Sequence, residues 1–198
     1  MSPAAPPGPG AQQALLALRE WLADTRLDHD EGLRPGEVVL RLPGEHRLVT
    51  TVSVLVGEHT VSVSAFVVRH PEENAEAVLR WLLRRNTRLR GIAFAVDADD
   101  DVYLVGRLPT TAVTPAVLDD LMGSVLAAAD GAFDTLLGLG FAASIRREAR
   151  WRAARGLDTT NLAAFQRLVR ADDELDDGPG DEPDDDDRGR PGLAGSAP

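Results

Sequence analysis

Residues 50–68 read TTVSVLVGEHTVSVSAFVV, and the fold turns on this stretch. Val52, Val54 and Val56 alternate with Thr51, Ser53 and Leu55, and Gly57-Glu58 then reverses the chain. Val61, Val63, Ala65 and Val67 alternate in turn with Ser62, Ser64 and Phe66. A period of two marks a half-buried strand, with the valines on one face and mostly hydroxyls on the other. The connection is too short for a crossover, so the two strands are antiparallel neighbours.

Upstream, Val38, Leu40 and Leu42 alternate with Val39 and Arg41, and Pro43-Gly44-Glu45-His46 reads as the turn that follows. Before that strand, Ala14, Leu15, Leu18, Trp21 and Leu22 share one face of a helix over residues 12–24. Downstream, Pro71 suits a first helical position, and Glu72, Glu73 and Glu76 favour the positive end of the helix dipole. The pattern predicts a helix to Leu89 that buries Ala75, Val78, Leu79, Leu82 and Leu89. Gly91 restarts the chain as a strand over 92–96, an Asp-rich loop covers 97–101, and a return strand covers 102–108. Thr114 caps a long helix with Pro115 at its first position, running through Leu118, Leu121, Met122, Val125, Ala129, Phe133, Leu136 and Leu137. Gly138 and Gly140 bend or end it, and further helices are expected over 144–155 and 161–171. The order α-β-β-β-α-β-β-α predicts an α+β fold, a five-stranded antiparallel sheet with helices mainly on one face.

The charge is unevenly placed. The 198 residues hold 32 acidic and 21 basic side chains, every basic one Arg, for a net charge of -11. Residues 171–198 hold 11 acidic residues and two Arg, a net of -9, which leaves -2 for residues 1–170. The expected organisation is a disordered Pro-rich lead-in over 1–10, one domain over 11–170 and a disordered acidic tail over 171–198. The N-terminus lacks the charged and apolar regions of a secretory signal, and no window approaches 18 uninterrupted apolar residues. The expectation is a cytoplasmic protein without a membrane span.

Few chemistries fit. With no Cys there is no disulfide, thiol nucleophile or thiolate metal site, and with no Lys there is no P-loop lysine. GxGxxG and GxSxG are absent. His29, His46, His59 and His70 form no HExxH motif and no i, i+4 pair. Asp97, Asp99 and Asp101 imitate the start of an EF-hand loop, but Val102 stands where Gly is needed and Leu108 where Glu is needed. No cofactor, no metal and no enzymatic activity are expected. The enzyme alternative would need groups such as His59, Asp97 and Arg107 to converge on one pocket.

Two features suit binding. Arg80, Arg84, Arg85, Arg88 and Arg90 surround Trp81, and Arg146, Arg147, Arg150, Arg152 and Arg155 surround Trp151. Such cations complement helix C-termini, and Glu76 can pair with Arg80. They also suit an acidic partner, for which the acidic tail is itself a candidate. Nucleic acid is not expected, because the body is not basic and the tail would repel phosphate. The second feature is the sheet face of Thr51, Ser53, Leu55, Ser62, Ser64 and Phe66. Left uncovered by helices, it is either an ordinary solvated face or an interface for a protein or a second copy.

The stretches TTVSVLVGEHTVSVSAFVVRHPEENAEAVLRWLLRRN, GIAFAVDADDDVYLVGRLP and ADGAFDTLLGLGFAASIRREARWRAARG resemble the YbjN-domain proteins, bacterial sensory-transduction regulators, over residues 38–169. The resemblance implies a fold similar to type III secretion chaperones and a non-enzymatic module that binds protein, chaperone-like or regulatory. It also implies a homodimer through the second helix and the neighbouring strand, here Trp81, Arg84, Arg85 and Arg88 with residues 92–96. With Leu55 and Phe66 of the sheet face, these are the expected partner-binding residues. The partner's identity is not implied. The remaining alternative is a structural or stability factor whose tail regulates self-contact.

Overall fold

A computed structural model describes residues 7–157 as α1 (Pro9–Thr25), β1 (His29–Glu31), β2 (Glu37–Pro43), β3 (Val49–Val56), β4 (Thr60–Val68), α2 (Ala75–Asn86), β5 (Ile92–Val96), β6 (Val102–Pro109), a 3-10 turn (Thr110–Ala112), α3 (Pro115–Gly140) and α4 (Ala142–Ala153). The expected acidic tail, the 161–171 helix and residues 1–6 of the lead-in lie outside the described residues. Helix α1 begins at Pro9, three residues before the apolar periodicity starts, with Gly8 as its cap.

All strand pairs are antiparallel, in the order β1-β2-β3-β4-β6-β5. The alternation at residues 50–68 sets the register: Val54 faces Val63, and Ser53 faces Ser64. Val52, Val54, Val61, Val63 and Ala65 are almost wholly buried. Each buried valine contributes about 1.5–3 kcal/mol relative to an exposed one. Helices α1 and α3 cover this face. Leu118, Leu121, Met122, Val125 and Leu136 of α3 are buried, and the Trp21 indole N–H of α1 donates to Asp119 of α3 at 3.1 Å. By length and composition α3 is apolar enough to cross a membrane. Its buried side packs against α1, α2 and the sheet, the place of a core helix.

The α+β class and the one-sided helices hold, but the sheet has six strands rather than five. The extra strand, β1, pairs with β2 through His29 opposite Leu40 and Glu31 opposite Val38. Its three residues are polar and exposed, so no apolar alternation announced it. Arg41 of β2 holds it with guanidinium bonds to Asp28 and Asp30.

Helix α2 is shorter than its pattern predicts. Pro71 does not start it, because the amides of Glu72 and Glu73 donate to the Gly140 carbonyl at the end of α3. The helix starts at Ala75 after Asn74, whose φ is 51°. Among the expected core residues, Val78 and Leu82 are buried, whereas Leu79 is 42% exposed and Ala75 is also exposed.

Candidate functional site

Helix geometry gives α2 three faces. Val78 and Leu82 point into the core. Trp81, Arg84 and Arg85, at i, i+3 and i+4, fall on one flank, and Arg88 follows in the turn after the helix end at Asn86. With Thr87 they line an open concavity of about 420 Å³. The Trp81 ring rests against Phe94 of β5, with centroids 6.2 Å apart and planes inclined by 57°. Arg84 and Arg88 are exposed, Arg85 is half-buried, and the Arg85 Nε is buried with no hydrogen-bond partner among the described residues. No described carboxylate lies within ion-pair distance of these three guanidinium groups, whereas Arg80 pairs with Glu76 one turn away. Four residues expected to bind a partner are therefore brought together.

The opposite flank carries Leu79, Leu83 and Asn86, again at i, i+4 and i+7. Leu79 is 42% exposed and Leu83 is 68% exposed. Asn86 reaches strand β5, which among the described residues pairs only with β6 and so forms a sheet edge. Its side-chain Nδ2 donates to the Phe94 carbonyl at 3.1 Å, and its Oδ1 accepts from the Phe94 amide at 2.7 Å. One side-chain amide thus satisfies both main-chain groups that Phe94 turns outward, at the centre of the strand. Val96, at the end of the same strand, is 43% exposed.

Leu55 and Phe66 lie on the other side of the sheet. No described helix covers that face, and both side chains are half-buried among their neighbours. Leu55 stands between Glu37 and Ser62 in the cross-strand register. Phe66 is four residues further along β4, about 13 Å away, so the two do not touch. It packs edge-on against Tyr103 at 5.5 Å. The Arg47 guanidinium lies 5.4 Å from the Phe66 ring centre and 5.7 Å from that of Phe133 on α3. Burial lowers the Arg47 pKa, and the group donates to the carbonyls of Phe66 and Val67. The expected partner-binding residues therefore form two separate surfaces on opposite sides of the sheet.

A second anchor holds the turn before β3. Asp130 of α3 accepts the backbone N–H groups of Glu45, His46 and Arg47 at 3.2, 2.9 and 2.8 Å. Partial burial pushes its pKa up, but those amides and the neighbouring His46 together hold it below the usual range. His46 also contacts Asp134 at 2.8 Å.

The groups the enzyme alternative required do not converge. Arg107 pairs with Ser62, beside the β3–β4 turn that carries His59. Asp97 follows Val96, which pairs with Val102 at the opposite end of β6. Asp97 instead accepts the amides of Asp99 and Asp101, both at 3.0 Å, which makes the loop a tight turn. Among the described residues no group of three His, Asp or Glu side chains is placed to hold a metal ion. In α4, Arg152 pairs with Glu148 at 2.7 Å, Arg147 lies 3.8 Å from Glu72, and Arg155 lies over Trp151 at 4.3 Å.

The sequence model of YbjN, described as "Putative bacterial sensory transduction regulator", matches residues 15–138. The uncharacterized protein Rv0487 of Mycobacterium tuberculosis is 45% identical over 155 residues, which cover 76% of this chain and 85% of that protein. Among solved structures, YbjN of E. coli is similar with a TM-score of 0.45 at 17% identity, over 60% of this chain and 87% of that one. The Yersinia pestis type III secretion chaperone SycH, solved in complex with a fragment of YscM2, gives a TM-score of 0.43 at 18% identity, over 59% of this chain and 96% of that one.

Proposed function

The chain belongs to the YbjN family, and from that premise we propose that it is a non-enzymatic protein-binding module that works as a homodimer in the cytoplasm. The observation that carries the reading is the exposed pair Leu79 and Leu83, one turn apart on α2 beside the β5 edge. A leucine left in water forgoes about 1.5–3 kcal/mol of burial, and two on one stripe of α2 make an apolar contact surface. A second copy of the same flank supplies a matching surface, as a two-fold interface requires. Asn86 occupies the outward groups of Phe94, so this self-contact runs through side chains rather than through a shared sheet. The uncovered sheet face, with Leu55, Phe66 and Tyr103, is then left for a different protein partner, and the Trp81 concavity for acidic groups.

Photo-cross-linking from position 83 tests the reading. The chain has no Lys, so an incorporated photoreactive residue is a cleaner probe than amine chemistry. The expected product has twice the 21.2 kDa chain mass, with its adduct within α2 or β5. A product that stays at one chain mass, or an adduct elsewhere, overturns the self-contact.

A further inference from the structure

The arginines at and just beyond the C-terminal end of α2 differ from those of α4 in how they are satisfied. On α4, Arg147 approaches Glu72 and donates to Ser144, Arg152 pairs with Glu148, and Arg155 stacks on Trp151. Elsewhere Arg34 and Arg41 each have a carboxylate, and on α2 itself Arg80 has Glu76. Arg84, Arg85 and Arg88 have none among the described residues. They share one concavity with Trp81. Three like charges gathered on one side of it repel, and a carboxylate-rich ligand relieves that repulsion.

The sequence of this chain contains such a ligand. Residues 172–187 hold 11 Asp and Glu and no Arg. Resting on the binding role proposed above for this concavity, we infer that this acidic run is its occupant, docking in cis against Arg84, Arg85 and Arg88 and excluding other acidic partners from the Trp81 surface. Length permits it. Fourteen residues separate Leu157 from Asp172, a reach of up to about 45 Å extended. A folded body of this size has a radius of gyration of only about 15 Å. Charge selects the α2 site over α4, because the α4 guanidiniums already have partners. Asp and Glu carboxylates also match the forked donors of Arg.

The absence of Cys makes the test clean, since Asp181→Cys provides a single attachment point in the full chain. A nitroxide there broadens nuclear magnetic resonances of nearby groups. The expected result is a several-fold weakening of the Trp81 indole signal relative to that of Trp21 at about 0.01 M salt. It should vanish at about 1 M, where the Debye length falls from about 30 Å to about 3 Å. It should also vanish in the Arg84→Ala, Arg88→Ala double variant, and persist when labelled chains are diluted into unlabelled ones. Equal signals for Trp81 and Trp21, an effect centred on Trp151, or an effect seen only between molecules overturns the assignment. Light scattering on the same sample reads the dimer separately. A dimer with an untouched Trp81 removes the tail assignment alone, and a monomer with a broadened Trp81 removes the self-contact alone.

Discussion

The side chain of Asn86 satisfies both the amide and the carbonyl of Phe94, in place of a neighbouring strand. An exposed sheet edge is a template for unwanted pairing, and proteins block such edges by several devices. Here the device is one residue at the end of α2, and it also ties the helix to the sheet. The helix position that frees the Leu79–Leu83 stripe is the one that closes the strand beside it.

Asn86→Ala removes both bonds and leaves two outward backbone groups for water or another chain. The expected loss is about 1–3 kcal/mol in urea unfolding. Light scattering should also show assemblies larger than those of the native chain. An unchanged unfolding midpoint with unchanged mass would show that the edge was never protected by this side chain.

Glu37 predicts a pH dependence. The Arg34 guanidinium donates to its carboxylate twice, at 2.7 and 3.1 Å, the Ser53 hydroxyl donates at 2.6 Å, and the Arg34 amide adds a fourth bond. These bonds hold its pKa at about 2, against an ordinary value of 4.5. A lowered folded-state pKa means that the ionised group favours the folded state above pH 4.5, and that this contribution is lost as pH falls through about 2. Glu37→Gln should flatten the acid side of the stability profile in that window and leave the slope at neutral pH unchanged. Superimposable native and variant profiles between those values would contradict the assignment.

Asp130 draws three amides of the β2–β3 turn onto α3, so Asp130→Ala leaves them without their acceptor. The expected cost is about 1–3 kcal/mol, with faster amide hydrogen exchange confined to residues 44–48. Gly44→Ala should act on the same turn, because a Cβ there would collide with the Arg47 carbonyl and the Asp130 carboxylate. Exchange that rises uniformly along the chain would argue against a local anchor.

Thr50 predicts the opposite sign. It is wholly buried, and its hydroxyl oxygen has no hydrogen-bond partner among the described residues. An unsatisfied buried hydroxyl costs about 1–3 kcal/mol. Thr50→Val keeps the branched shape that β3 needs and removes the polar atom, so the melting temperature should rise. A fall would mean that the hydroxyl is satisfied in solution.

Much of this molecule is legible in its residues. The valine alternation in β3 and β4 carries its own register, because slipping by one position would expose a whole face. The grouping of Trp81, Arg84 and Arg85 follows from helical spacing, and Arg88 joins them from the turn after the helix. Other features were hidden for physical reasons. Strand β1 is three polar residues held by Arg41 rather than by burial, so it has no apolar period. Pro71 looks like a helix start, but the next two amides are committed to Gly140, a contact between residues far apart in sequence. Leu79 looks like core because α2 carries more apolar residues than one buried stripe can use. That surplus, Val78 and Leu82 inward and Leu79 and Leu83 outward, was a readable signal for an exposed apolar flank. Asn86 gave no such signal, since its partner is set by the tertiary placement of β5.

Sedimentation velocity on the full chain and on Leu83→Glu tests the central claim most directly. Leu83 is 68% exposed, so a charge there should leave the fold intact, and near-identical far-ultraviolet circular dichroism would verify this. The account predicts a native particle of twice 21.2 kDa and a variant of 21.2 kDa at the same concentration. A native chain that sediments at a single chain mass, or a variant that keeps the double mass, would contradict it.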